Sequence, residues 1–217
     1  DLQATKAVIL VDNSTDYAIG LSDAFKETFE GEIVAEENFT AGDTDFKAIL
    51  TNIAKMDYDV ILLPGYYEEG GLIIKQAREM GIMQPILGPD GFANSTLVEL
   101  AGADNVDNVF YASHFTPNSE DPKVQEFLAA FEAEYGKPAD SFAALAYDAA
   151  QLVFDAITTA DSTDPQAITD ALAATEDFEG VTGTFSFDEN HNPIKSAFVI
   201  ELQDGVEVGN SVVEPAK

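Results

Sequence analysis

The stretch LLPGYYEEGGLIIKQAREMGIMQPILGPDGF, Leu62 to Phe92, decides the fold. Two apolar strand ends each run into a small-residue turn, PGYY (Pro64 to Tyr67) and GPDG (Gly88 to Gly91). Between them Leu72, Ile73, Ala77 and Met80 recur at helical spacing and predict a helix from about Glu68 to Met80. Strand, helix and strand in that order make a βαβ unit with parallel strands. Successive units bring strand C-termini to one edge of the sheet, and open α/β sheets bind ligands at that edge. Tyr66 and Asp90 therefore face one crevice, offering an aromatic face and a carboxylate suited to a small cation. Tyr67 is a neighbouring aromatic.

Outward from this stretch the alternation continues. KAVILVD (Lys6 to Asp12), EIVAEENF (Glu32 to Phe39), DVILLPG (Asp59 to Gly65), QPILGPD (Gln84 to Asp90) and NVFYASHF (Asn108 to Phe115) read as strands. Helical spacing fills the gaps, with Ile19, Phe25 and Phe29 on one face and Phe46, Ile49, Leu50 and Ile53 on the next. The expected class is α/β, a parallel sheet flanked by helices on both faces.

From about Pro117 the pattern turns helical. Asp121-Pro122 and Asp164-Pro165 each read as an N-cap followed by proline at the first helical position, and Gly136 as a helix stop. Val124, Phe127, Leu128, Phe131 and Tyr135 mark one face, and Phe142, Leu145, Ala149, Leu152, Val153 and Ile157 another. The tail GTFSFDENHNPIKSAFVIEL reads as a hairpin, with Phe185 and Phe187 on one strand and Ala197 to Leu202 on the other. Two amphipathic helices need a surface to cover. The five strands of the first half already have helices, so this second part reads as a domain whose sheet is largely absent from the sequence.

Composition excludes several classes. Forty acids against 10 bases give a formal charge of −30, which makes nucleic acid an unsuitable partner. This balance fits an exported, highly soluble protein or adaptation to high salt. No apolar run reaches the ~20 residues of a membrane span, and no signal segment opens the chain. Cysteine is absent, so thiol catalysis, disulfides and cysteine metal sites are excluded. The histidines, His114 and His191, are far apart in sequence. DENHN (Asp188 to Asn192) has the look of a calcium loop, but Pro193 stands at the turn glycine and Val199 at the bidentate acid, so a plain hairpin turn is the better reading. There is no Walker A loop, GxSxG elbow or GxGxxG, and no cofactor is expected.

Asp90 has two readings at this level, a turn aspartate or the counter-charge for a bound cation. Tyr17, in DNSTDYAIG after the first strand, falls at the same sheet edge or half-covers the first helix. Phe142 is a core residue or a ligand contact.

These residues lie in blocks that resemble a known family. KAVILVDNSTDYAIGLSDAF, NFTAGDTDFKAIL, VILLPGYYEEGGLIIKQAREMGI, ILGPDGFANSTLVELAG, SFAALAYDAAQLVFDAI and VTGTFSFDENHNPI are similar, in order, to the branched-chain amino-acid-binding proteins of ABC transporters. The similarity runs from about Lys6 to Val208. It implies a type I periplasmic binding fold, in which two hinged α/β lobes close on a free amino acid. It also implies ligand roles: Asp90 pairs with the α-ammonium, Tyr66, Tyr17 and Tyr67 line the same lobe, and Phe142 lines the side-chain pocket from the other. Members of that family begin with about three further β-α units, ending in a Ser/Thr-rich loop for the α-carboxylate. The resemblance implies that this chain starts after them. Residues 1–116 plus about 195–217 are then an intact lobe two, and 117–194 a partial lobe one. Further implications are a non-enzymatic role, a membrane permease as partner, and an extracytoplasmic location in the periplasm or as a surface lipoprotein. The uncovered helices imply a segment-swapped dimer or association with the N-terminal piece. A ligand-sensing receptor domain of the same fold is the alternative, and a flavodoxin-like enzyme a more remote one.

Overall fold

The computed structural model describes residues 2–215; Asp1 and residues 216–217, inside the expected lobe boundaries, lie outside the described residues. The elements in chain order are β1 (Lys6–Asp12), α1 (Asp16–Thr28), β2 (Glu32–Phe39), α2 (Lys47–Ile53), β3 (Val60–Leu62), α3 (Tyr67–Glu79) and β4 (Ile86–Gly88). A 3-10 turn (Asp90–Phe92), α4 (Thr96–Ala101), a second 3-10 turn (Ala103–Asn105) and β5 (Val109–Ser113) follow. The remainder is α5 (Pro122–Tyr135), α6 (Ser141–Ala160), α7 (Pro165–Ala173), β6 (Phe178–Gly180), β7 (Gly183–Phe187), β8 (Pro193–Ile194), β9 (Ala197–Gln203) and β10 (Val206–Val213). The chain divides into two compact units, Asp1–Ala112 with Val199–Asn210, and Ser113–Phe198 with Ser211–Lys217.

A seven-stranded sheet runs in the order β10-β9-β5-β4-β3-β1-β2. The pairs β1/β2, β1/β3, β3/β4 and β4/β5 are parallel, with Ala7 opposite Val60 and Ile61 opposite Ile86. β1 explains why helices cover both faces. Val8 and Leu10 point to one side, Ile9 and Val11 to the other, and all four are buried. Ile9, Val11 and Ala18 form a cluster with Phe25, Ile33 and Leu62 around it.

The first helix corrects one expectation. Thr15 caps α1 by accepting from the Ala18 N–H. The buried residues of α1 are Ala18 and Ser22, Phe25 packs against the cluster on β1, and Ile19 is 39% exposed. Alanine and serine fill the close contact, so an apolar count assigned Ile19 to the wrong side.

In the second unit Asp121, Asp140 and Asp164 cap α5, α6 and α7, and Gly136 stops α5 in the left-handed region at φ 67°. Phe115, Val124, Phe127, Ala139, Ala144 and Val181 form its core. The tail departs from the single expected hairpin. β7 turns back at Asp188–Asn192 onto the two-residue β8 and also pairs with β6, making a three-stranded antiparallel sheet. β9 instead joins the large sheet beside β5, where Ile200 and Leu202 are buried while Glu201 and Gln203 stay exposed. Alternation along 197–203 fits a half-buried strand in either sheet, so local pattern does not choose between them.

Candidate functional site

The strand order β2-β1-β3-β4-β5 reverses direction between β1 and β3, and such a switch point opens a crevice beyond the strand C-termini. The chain places three of the expected side chains there. Tyr17 lies in the first turn of α1 after β1, Tyr66 is the N-cap of α3 after β3, and Asp90 opens the 3-10 turn after β4. The ends of β1 and β3 are joined directly, the Asp12 N–H donating to the Pro64 carbonyl at 3.1 Å.

The tyrosine rings stack with centroids 5.0 Å apart and planes 26° from parallel. The Tyr17 hydroxyl donates to Asp90 Oδ1 at 2.5 Å and accepts from the Gly91 N–H at 3.0 Å. Phe92, 1% exposed, anchors this turn against Gly88, where a Cβ would stand 2.2 Å from the ring. Gly91 has a similar reason: a Cβ there would meet the Gly65 carbonyl oxygen at 2.7 Å and the Tyr17 hydroxyl at 3.2 Å. A side chain at 91 would force apart the groups that hold Asp90.

Burial pushes the Tyr17 phenol well above the ordinary tyrosine range, and the hydrogen bond and charge of Asp90 push it further. The phenol therefore stays a donor. It orients the Asp90 carboxylate and occupies Oδ1; among the described residues no donor reaches Oδ2. A half-buried carboxylate beside stacked phenol rings suits a small organic cation. Ion pairing offsets desolvation, and the ring faces add about 1 kcal/mol.

Tyr67 follows as the first residue of α3 and is half-buried. Phe142 belongs to the second unit, in the first turn of α6, and is 39% exposed. The Asp188 carboxylate is consumed within its own turn, accepting from the Asn190 and Asn192 N–H groups at 2.8 Å and from the Asn192 side chain at 3.1 Å. Among the described residues no three metal-ligating side chains stand together. A groove of about 600 Å³ lies wholly in the second unit, along Phe127, Phe131, Tyr135, Tyr147 and Phe178, and contains none of the three site residues.

Sequence reasoning missed Gly91 as a donor, although it lies inside the GPDG turn. It also missed Asp12, which is 1% exposed and accepts from the Ser14 N–H and hydroxyl at 2.9 and 2.5 Å.

A family model described as periplasmic binding protein matches residues 1–207. The chain belongs to the periplasmic binding protein family. Within this family it is 29% identical to the leucine-, isoleucine-, valine-, threonine- and alanine-binding protein of Pseudomonas aeruginosa, over 85% of this chain and 49% of that one. It is 30% identical to the Leu/Ile/Val-binding protein BraC3 of Rhizobium johnstonii, over 89% of this chain and 53% of that one. Among solved structures, LivJ of Streptococcus pneumoniae, a branched-chain amino acid transporter substrate-binding protein in complex with isoleucine, superposes with a TM-score of 0.90 at 44% identity. The leucine-binding protein LivK of Thermotoga maritima gives 0.90 at 33% identity. This periplasmic binding protein sequence covers 62% of each of those two chains and about half of its curated relatives, 49% and 53%. The resemblance to branched-chain amino-acid-binding proteins and the α/β fold class both hold, and the family is one of solute-binding proteins, not enzymes. No helix among the described residues is long and apolar enough to cross a membrane.

Proposed function

We propose that this chain is part of an extracytoplasmic substrate-binding protein that captures a free branched-chain or other aliphatic amino acid for an ABC importer. The observation that carries this reading is the Tyr17–Asp90–Tyr66 group at the β1/β3 switch point. Asp90 receives the α-ammonium on Oδ2, Tyr17 holds the carboxylate in place, and the Tyr66 face covers the cation. Tyr67 borders the same edge, and Phe142 lines the side-chain end from the other lobe. The named ligands of these relatives, leucine, isoleucine and valine and in one of them also threonine and alanine, share this ammonium and differ in their side chains.

In this reading residues 1–116 with 195–217 form one lobe and 117–194 part of the other. The lobes hinge where the chain passes between them, near Ala112 and Phe198. Closure buries the ligand, and the closed form is recognised by a membrane permease. In the 117–194 lobe Tyr135, Tyr147 and Phe154 are exposed, at 64%, 44% and 61%.

Isothermal calorimetry of the full-length protein with isoleucine tests the assignment. Asp90→Ala removes the counter-charge and is expected to abolish measurable binding, because an unpaired buried ammonium costs several kcal/mol. Unchanged affinity in that variant would remove Asp90 from the site.

A further inference from the structure

Two consecutive backbone amides of the loop between β2 and α2 reach the two helix starts that carry the stacked tyrosines. The Ala41 N–H donates to Ser14 Oγ at 3.1 Å, and the Gly42 N–H donates to Glu69 Oε1 at 2.7 Å. Ser14 immediately precedes Thr15, the N-cap of α1, three residues before Tyr17. Glu69 lies in the first turn of α3, three residues after Tyr66.

Both acceptors are held in their role. The Ser14 hydroxyl proton is committed to Asp12 Oδ1 at 2.5 Å, and the Ser14 N–H donates to the same oxygen at 2.9 Å. A serine that has given its proton away presents a lone pair to the next donor. Glu69 is 8% exposed and occupies the third helical position, where a glutamate ordinarily turns back to the N–H of its own N-cap. Here it reaches across to another loop. Gly42 has φ +90°, a conformation open mainly to glycine. A further tie, the Thr40 hydroxyl donating to Asn13 Oδ1 at 3.2 Å, closes the same pair of loops.

We infer that Ser14 and Glu69 are positioning residues for the tyrosine pair, fixing the starts of α1 and α3 through Ala41 and Gly42 and so setting how Tyr17 stacks on Tyr66. The brace converts two separately tethered rings into one surface of fixed separation, and its effect on ligand affinity rests on the amino-acid reading above. The stack itself does not depend on that reading.

The chain has no tryptophan, so its near-ultraviolet circular dichroism is free of indole bands. Tyr17→Phe and Tyr66→Phe identify the part of the tyrosine band that belongs to the stack. Ser14→Ala and Glu69→Ala are expected to lose that part while far-ultraviolet dichroism stays native. Ser14→Thr and Glu69→Gln, which keep an acceptor oxygen, are expected to retain most of it. In the full-length protein the alanine variants are expected to bind isoleucine roughly tenfold more weakly, with the conservative variants close to wild type. Wild-type dichroism in both alanine variants overturns the inference, as does equal loss in the alanine and conservative variants. If Glu69→Ala does not fold, Ser14→Ala decides the matter, because Ser14 is exposed and its truncation leaves the core intact. A wild-type protein that ignores isoleucine sinks the amino-acid reading alone, and the dichroism still decides the brace.

Discussion

Tyr66 stands at a helix position that ordinarily belongs to Ser, Thr, Asp or Asn. It is the N-cap of α3 and supplies no side-chain cap, which leaves the helix short of a contribution of about 1 kcal/mol. A local preference set aside at a sheet edge marks a residue kept for another purpose. Here that purpose is the ring that stacks on Tyr17. The protonation of Tyr17 gives a direct test. Its phenol is raised by burial and by Asp90, so the folded state holds the proton above the unfolded value near pH 10. The corresponding stability is fully present below about pH 10 and is lost as pH rises above it. Burial also raises Tyr58 and Tyr111. Urea unfolding midpoints from about pH 8 to about pH 11 are expected to fall more steeply in the wild type than in Tyr17→Phe. Parallel curves would show that this phenol is not held as the geometry indicates.

At the scale of elements, the second unit depends on a carboxylate that pattern reading passes over. Asp148, 3% exposed on α6, accepts from the Val181 N–H and the Thr182 N–H at 2.8 Å and from the Thr182 hydroxyl at 2.6 Å. It ties α6 to the turn between β6 and β7. Lys195 extends the chain of contacts, its Nζ donating to Thr182 Oγ1 at 2.6 Å and lying 4.7 Å from the Phe185 ring centre. Burial lowers the Lys195 pKa from the usual lysine value. Asp148→Ala leaves two buried N–H groups without partners, and a loss of about 3–5 kcal/mol is expected. Chemical denaturation followed by far-ultraviolet dichroism measures it; a loss below about 1 kcal/mol would mean that the turn reorganises around other acceptors. The apolar spacing marks Phe142, Leu145, Ala149, Leu152, Val153 and Ile157 as one face of α6, but the buried residues are Ser141, Ala144, Asp148 and Ala156, while Phe142 and Val153 are exposed. Asp148 escapes the pattern because a single acid among alanines reads as a solvated position until the turn that it caps is in place.

For the molecule as a whole, two opposing terms act on association. Phe154, Tyr135 and Tyr147 leave the α5–α6 side of the second unit apolar and open. A formal charge of −30 makes two copies repel. Salt removes the second term and leaves the first, since the Debye length falls from about 10 Å at 0.1 M to about 3 Å at 1 M. Light scattering of this chain is expected to show self-association that grows from about 0.1 M to about 1 M sodium chloride, with an apolar dye bound throughout. A monomer across the whole range that binds no dye would mean that the open face is not adhesive. The ion pairs present do little against this charge; Lys6–Asp57 and Lys26–Glu36 involve side chains at least a third exposed.

The sequence by itself determined the βαβ order, the parallel sheet and the strand-end turns, because period, turn residues and short connections are local properties. With them came Tyr17, Tyr66 and Asp90 as residues of one edge, since strand order places the ends of successive parallel strands side by side. The tertiary structure alone decided that the Tyr17 hydroxyl orients Asp90, that Gly91 must lack a side chain, and that Ser14 and Glu69 meet through one loop. It also decided that β9 pairs beside β5, a choice that the alternation along 197–203 does not make. Hydrogen bonds between loops dozens of residues apart leave no periodic trace, and a strand of alternating pattern fits any free edge until the chain has folded.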